Sequence, residues 1–161
     1  MQTILGSGGI IANHIAKALP AYTSDVRLVS RNPNSVTGNE ELFPADLTSA
    51  EQVMNAVKGS EVVYLTAGLQ YDSKVWQEQW PKLMQNVITA CKENGSRLVF
   101  FDNVYMYGKV DGIMTESTPF NPCSKKGEIR ATIASHLLQQ VKKNNIRASI
   151  ARAADFYGPY A

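Results

Sequence analysis

The stretch Thr3-Ile4-Leu5-Gly6-Ser7-Gly8-Gly9-Ile10-Ile11-Ala12-Asn13-His14-Ile15 restricts the fold of this chain more than any other. A short apolar run meets a glycine cluster, and a helical apolar spacing (Ile11, Ile15, Ala16, Leu19) follows at once. That order predicts strand, tight turn and helix, the opening of a nucleotide-binding βαβ unit. Gly6 suits the positive φ of a sharp strand-to-helix turn, and Gly8 or Gly9, lacking Cβ, lets a pyrophosphate approach the backbone. Ile10 and Ile11 open the helix, where free N–H groups and the positive dipole end favour an anion. Ala12 is small enough for the helix to pack closely on the strand. The same glycine pattern also serves as a purely structural turn, so the later segments bear on the choice.

A chain of 161 residues has room for one domain with a good core. A hydrophobic content of 44% and a net charge of +2 are ordinary for a globular protein, and neither marks a nucleic-acid or membrane surface. Cys91 and Cys123 show no metal or redox spacing, and His14 and His136 are far apart, so no metal site is expected. Apolar runs fall short of membrane-spanning length, and the first strand follows Met1 almost directly. The expectation is a reduced, cytoplasmic protein without a signal peptide.

Val26–Ser30 reads as a second strand ending at Arg31-Asn32-Pro33. In a dinucleotide fold this strand end meets the adenosine ribose, where NAD binders place an acidic residue. Arg31 suits a 2′-phosphate by charge and bidentate geometry, which favours NADP over NAD; the alternative is a plain surface arginine. Residues 41–47 read as a short third strand ending in Asp46, and Thr48-Ser49-Ala50-Glu51 as a capping box opening a helix to about Val57. Asp46 either accepts from an adenine amino group or bonds to local backbone. Residues 61–68 form the next strand, closed by Thr66-Ala67-Gly68, whose small side chains leave space for a cofactor.

A long helix follows, with Trp76, Trp80, Leu83, Met84, Val87, Ile88 and Cys91 on one stripe and Gly95 at its end. Pro81 marks either a kink or the first turn of its main part. Residues 97–101 are a fifth strand, a helix begins near Lys125 and Lys126, and residues 147–151 are the last strand. Strands alternating with helices predict an α/β fold, a doubly wound parallel sheet of the Rossmann-like NAD(P)-binding type.

In this order the segments resemble the extended and atypical short-chain dehydrogenase/reductases, the NAD-dependent epimerase/dehydratase family. Gly6, Gly9 and Ala12 match its GxxGxxG with alanine third, and Asp46-Leu47 its adenine-contacting pair. Thr66-Ala67-Gly68, Met106-Tyr107-Gly108 and the run from Arg152 to Pro159 match further segments. The family's Tyr-x-x-x-Lys falls on Asn121-Pro122-Cys123-Ser124-Lys125, and its Ser/Thr position on Asn103, beside Asp102. Lys125 is thereby expected to hold the nicotinamide ribose. Asn121 replaces the tyrosine, and an amide cannot do phenol proton transfer at neutral pH. Tyr105 and Tyr107 are the substitute acid/base candidates, with Asp102 as a base; Cys123 has no histidine to activate it.

The resemblance implies an NADP(H)- or NAD(H)-using oxidoreductase or epimerase acting on a small carbonyl, alcohol or nucleotide-sugar substrate. The missing tyrosine favours a second reading, a non-catalytic dinucleotide-binding redox sensor or regulatory protein. Family members continue well past the Tyr-Gly-Pro segment, so the chain is expected to be a fragment rather than a lone cofactor-binding module. The long helices are expected to pair two copies as a homodimer.

Overall fold

The computed structural model describes residues 1–155. Its strands are β1 (Gln2–Leu5), β2 (Val26–Ser30), β3 (Glu41–Pro44), β4 (Val62–Leu65), β5 (Arg97–Asp102) and β6 (Arg147–Arg152). Its α-helices are α1 (Ile10–Ala18), α2 (Ala50–Val57), α3 (Ser73–Asn94) and α4 (Lys125–Lys142). The strands form one parallel sheet in the order β3-β2-β1-β4-β5-β6, the expected doubly wound arrangement.

Alternate strand residues serve opposite faces, as the period of two requires. Leu5, Val29, Leu65, Leu98 and Phe100 join residues of α2, α3 and α4 in one core. Ile4 and Leu28 turn the other way and pack with Ala12 and Ala16 of α1. Each fully buried aliphatic side chain contributes roughly 1.5–3 kcal/mol, and such side chains fill both faces of the central strands. β2 also carries a charge that its apolar pattern hides. Arg27 is buried, and its guanidinium donates to the Ala56 and Lys58 carbonyls at the end of α2 and to Glu41.

Several boundaries differ from the sequence reading for local reasons. β3 stops at Pro44, which has no N–H for the ladder. Ser49 rather than Thr48 caps α2, accepting from the Gln52 N–H, because Asp46 Oδ1 takes both the N–H and the hydroxyl of Thr48. Pro81 lies well inside α3 rather than in its first turn. Asp72 caps that helix through Lys74 and Val75, and Gly95 closes it with φ 66°.

Candidate functional site

The register sets the C-terminal ends of β1, β2, β4 and β5 at one edge of the sheet: Leu5 pairs with Val29 and Leu65, and Leu65 with Phe100. The strand order reverses between β1 and β4, and open α/β sheets bind ligands at such a point. A cleft of about 580 Å³ opens there. Its floor is Gly6, Ser7 and Gly9, and one end is formed by Ser30, Arg31, Asp46, Leu47 and Thr48. Thr66 through Gln70 form the other end, with Val75, Glu78, Gln79 and Lys82 of α3 as a side wall.

The glycine turn is built as its residues require. Gly6 has φ 96°, and a Cβ there would overlap the Ala67 backbone. Gly8 has φ 100° and Gly9 is extended, both with open space where a Cβ would stand. Gly6 and Ser7 donate their N–H groups to the Val29 carbonyl, tying the turn to β2. Past them, α1 starts at Gly9 with no side-chain cap and no acidic residue in its first turn. Its first N–H groups, those of Ile10 and Ile11, are therefore left for an outside acceptor. The Ser7 hydroxyl lines the same cleft, buried and without a hydrogen-bond partner among the described residues. An uncapped helix start, an orphaned hydroxyl and a cradle open at Gly9 fit the pyrophosphate of a dinucleotide.

At the other strand ends the polar groups are held in place. Asp46 accepts from Thr48 through N–H and hydroxyl at 2.8 Å each, which hold its carboxyl below the usual range against the opposing effect of burial. The charges of Arg31 and Lys82 act in the same direction. The Leu47 carbonyl accepts from the Asn86 amide of α3, and Thr66 Oγ1 donates to the Leu5 and Gly6 carbonyls. Gly6, Gly9, Arg31, Asp46, Leu47, Thr66, Ala67 and Gly68 thus share one cleft. Gly8, the side chains of Ile10 and Ile11, and Lys125 do not line it. Glu78, Gln79 and Lys82 were missed by sequence reasoning, although with Val75 they follow a helical spacing beside the apolar stripe of α3.

The residues after β5 go to different places. Asn103 uses its amide oxygen to accept from the Tyr105 N–H, closing the turn into the 3₁₀ segment Tyr105–Tyr107. Tyr107 is buried, its hydroxyl accepting from Arg152 Nη1 at 2.8 Å and its ring edge-on to Phe120. Asp102 is not placed as a base. Its carboxylate is sealed in the core with Arg130, whose Nε donates at 2.7 Å, while Arg152 stands 3.7 Å away. Burial pushes the Asp102 carboxyl up, opposed by Arg130. Lys125 is exposed at the start of α4, behind Ser124, which caps the helix through the Gly127 N–H. Cys91 is buried and its thiol pushed up to about 12, which leaves it unreactive. Among the described residues no group of His, Cys, Asp and Glu is arranged to hold a metal, and no helix is long and apolar enough to cross a membrane. The expected Tyr-Gly-Pro segment, Tyr157 to Pro159, lies outside the described residues.

Known proteins share this chain's sequence pattern and fold. The sequence profile described as "NAD dependent epimerase/dehydratase family" matches residues 3–161. A dTDP-glucose 4,6-dehydratase of Mycobacterium tuberculosis is 30% identical over 129 residues, 74% of this chain and 39% of that protein. One from Mycolicibacterium smegmatis is 26% identical over 96% of this chain and 53% of its own length. The chain therefore spans about half the length, or less, of these curated relatives. In fold it is similar to a double mutant of the dTDP-glucose 4,6-dehydratase DesIV from Streptomyces venezuelae, solved with NAD bound. That likeness has a TM-score of 0.87 at 19% identity, covering 99% of this chain and 57% of the other. A UDP-glucose 4-epimerase gives 0.79 at 21% identity, over 94% of this chain and 50% of the other. With the profile matching from the first strand onward and the glycine turn, acidic strand end and small-residue strand end in place, the chain belongs to the NAD-dependent epimerase/dehydratase family.

Proposed function

We propose that this chain is the dinucleotide-binding part of an oxidoreductase or epimerase that uses NADP in preference to NAD on a nucleotide-sugar or other small alcohol or carbonyl substrate. The observation that carries this is the cleft at the switch point, where an uncapped helix start and the unpartnered Ser7 hydroxyl meet an open Gly9. Ser7 and the N–H groups of Ile10 and Ile11 hold the pyrophosphate, Asp46 accepts from the adenine amino group, and Thr66, Ala67 and Gly68 make room along β4. Arg31 takes the 2′-phosphate, since the end of β2 offers no carboxylate for a ribose hydroxyl. When bound, the nicotinamide supplies a hydride donor or acceptor. The sugar-nucleotide substrate class is suggested by the dehydratase and epimerase relatives.

A non-catalytic dinucleotide sensor is the second reading, favoured by Asn121 at the place of the family's phenol. Calorimetric titration with NADPH and NADH, followed by an assay for hydride transfer, separates the two. Binding with turnover supports the enzyme, and binding without turnover supports the sensor. No binding of either cofactor overturns both.

A further inference from the structure

The ends of β4 and β5 carry a cluster beyond the lined cleft. Tyr71, 68% exposed, follows Gln70, the last cleft residue of its loop. The Trp76 indole donates to the Gln70 carbonyl at 2.9 Å, and its ring meets Tyr71 edge-on at 5.7 Å. Lys126 of α4 holds its ammonium 2.8 Å from the centre of the Tyr71 ring and donates to the Tyr71 carbonyl at 3.3 Å. This loop is therefore pinned on both sides.

Facing it is Tyr105, 38% exposed, in the 3₁₀ segment after β5. Its backbone is fixed from two directions. Asn103 accepts from its N–H, and α4 packs against its carbonyl so closely that only glycine fits at position 127. The Tyr71 side chain stands beside the Tyr105 phenol and raises its titration.

The cleft runs from β2 and β3, where Arg31 and Asp46 stand, toward β4, so the pair lies past its opposite end, where the nicotinamide of a dinucleotide comes to rest. Among the described residues, the other candidate proton carriers after β5 are engaged or do not titrate. Tyr107 is buried against Arg152, Asp102 is sealed with Arg130, and an amide at Asn121 does not titrate. We propose that Tyr105, steadied by Tyr71, exchanges the proton with a substrate alcohol or carbonyl oxygen at the nicotinamide end of the cleft. This rests on the dinucleotide reading above. In the reducing direction the carbonyl carbon gains a hydride from reduced nicotinamide, its oxygen takes the Tyr105 proton, and the phenolate recovers a proton from water. Oxidation is the reverse.

Among the described residues, the groups that face the Tyr105 hydroxyl or Tyr71 are Tyr71 itself after β4, Asp155 after β6, and Lys126 and Arg130 from α4. The neighbouring Tyr71 side chain, then burial, then the Asp155 charge hold the Tyr105 proton more tightly than in a free phenol, with Arg130 opposing. The protonated form, the one that reduction needs, therefore prevails at neutral pH.

The test needs no substrate. NMR of the 161-residue chain carrying ring-labelled tyrosine follows each phenol through its titration, alone and with NADP⁺ or NADPH, while calorimetry confirms binding. Tyr105→Phe and Tyr105→Leu assign the signal. Oxidised nicotinamide carries a positive charge that reduced nicotinamide lacks. NADP⁺ should therefore lower the Tyr105 titration by about one pH unit, tenfold in proton affinity, and NADPH should not. Tyr71→Phe should lower it without any cofactor. Bound cofactors that leave the Tyr105 titration unmoved overturn the proposal and leave the dinucleotide reading standing. Failure of both cofactors to bind overturns the dinucleotide reading and this proposal with it.

Discussion

Arg31 and Gly9 test the cleft from its two halves. Arg31→Asp replaces a cation with an anion where the 2′-phosphate is placed. NADPH affinity should fall about 10- to 100-fold, the worth of one or two charge-assisted hydrogen bonds, with NADH little changed. Equal losses would remove Arg31 from the 2′-phosphate. Gly9 has ordinary extended φ and nothing near its missing Cβ, so Gly9→Leu should fold. Its side chain would fill the pyrophosphate cradle, and calorimetry should show both cofactors lost. A folded variant with unchanged affinity would remove the pyrophosphate from that turn. Asp102 is a different kind of residue. Asp102→Asn leaves Arg130 charged and buried among Trp80 and Phe100, and urea unfolding should show a loss of about 3–5 kcal/mol. Replacing the pair together, by Asp102→Leu and Arg130→Met, should recover most of it, because the charges' desolvation cost disappears with them.

Among the elements, the loop between β2 and β3 carries a pH prediction. The Glu40 carboxylate accepts from Ser35 Oγ and from the N–H groups of Thr37 and Gly38. Burial works against ionisation there, yet the bonds from Ser35 and Thr37 outweigh it and hold Glu40 down from 4.5 to about 2. A lowered folded value means that the contribution is complete above pH 4.5 and is lost as pH falls through about 2. Stability measured across that window should decline less steeply in Glu40→Gln than in the native chain; identical slopes would show that the carboxylate does not hold the loop. In α3, one helix serves two purposes. The stripe of Trp80, Leu83, Met84 and Val87 is core, while Val75, Glu78, Gln79 and Lys82 look into the cleft. Periodicity identified the first set because burial selects apolar side chains. The second is polar, like any solvated face, until the sheet edge is set opposite it.

For the whole molecule, the dinucleotide reading makes a thermal prediction. A ligand that binds only the folded chain adds about 2.7 kcal/mol at a hundred times its dissociation constant. For a domain of this size that raises the unfolding midpoint by roughly 5–10 °C. Scanning calorimetry with excess NADPH should show the rise, and its absence at saturating NADPH would contradict specific binding to the folded state.

The strand–glycine–helix opening, the alternation of strands with helices, and the small or acidic strand ends are local patterns. They fixed the sheet class and eight of the cleft's residues, because backbone conformation and burial act on neighbours in sequence. The placement of Asp102 was not legible. An aspartate at a strand end reads equally as a base or as half of an ion pair, and Arg130, on a helix far along the chain, decides between them. Tyr105 and Tyr107 are two residues apart and look alike in sequence. Packing buried one against Arg152 and left the other beside Tyr71, because which side chains face each other across β4, β5 and α4 depends on how distant segments pack.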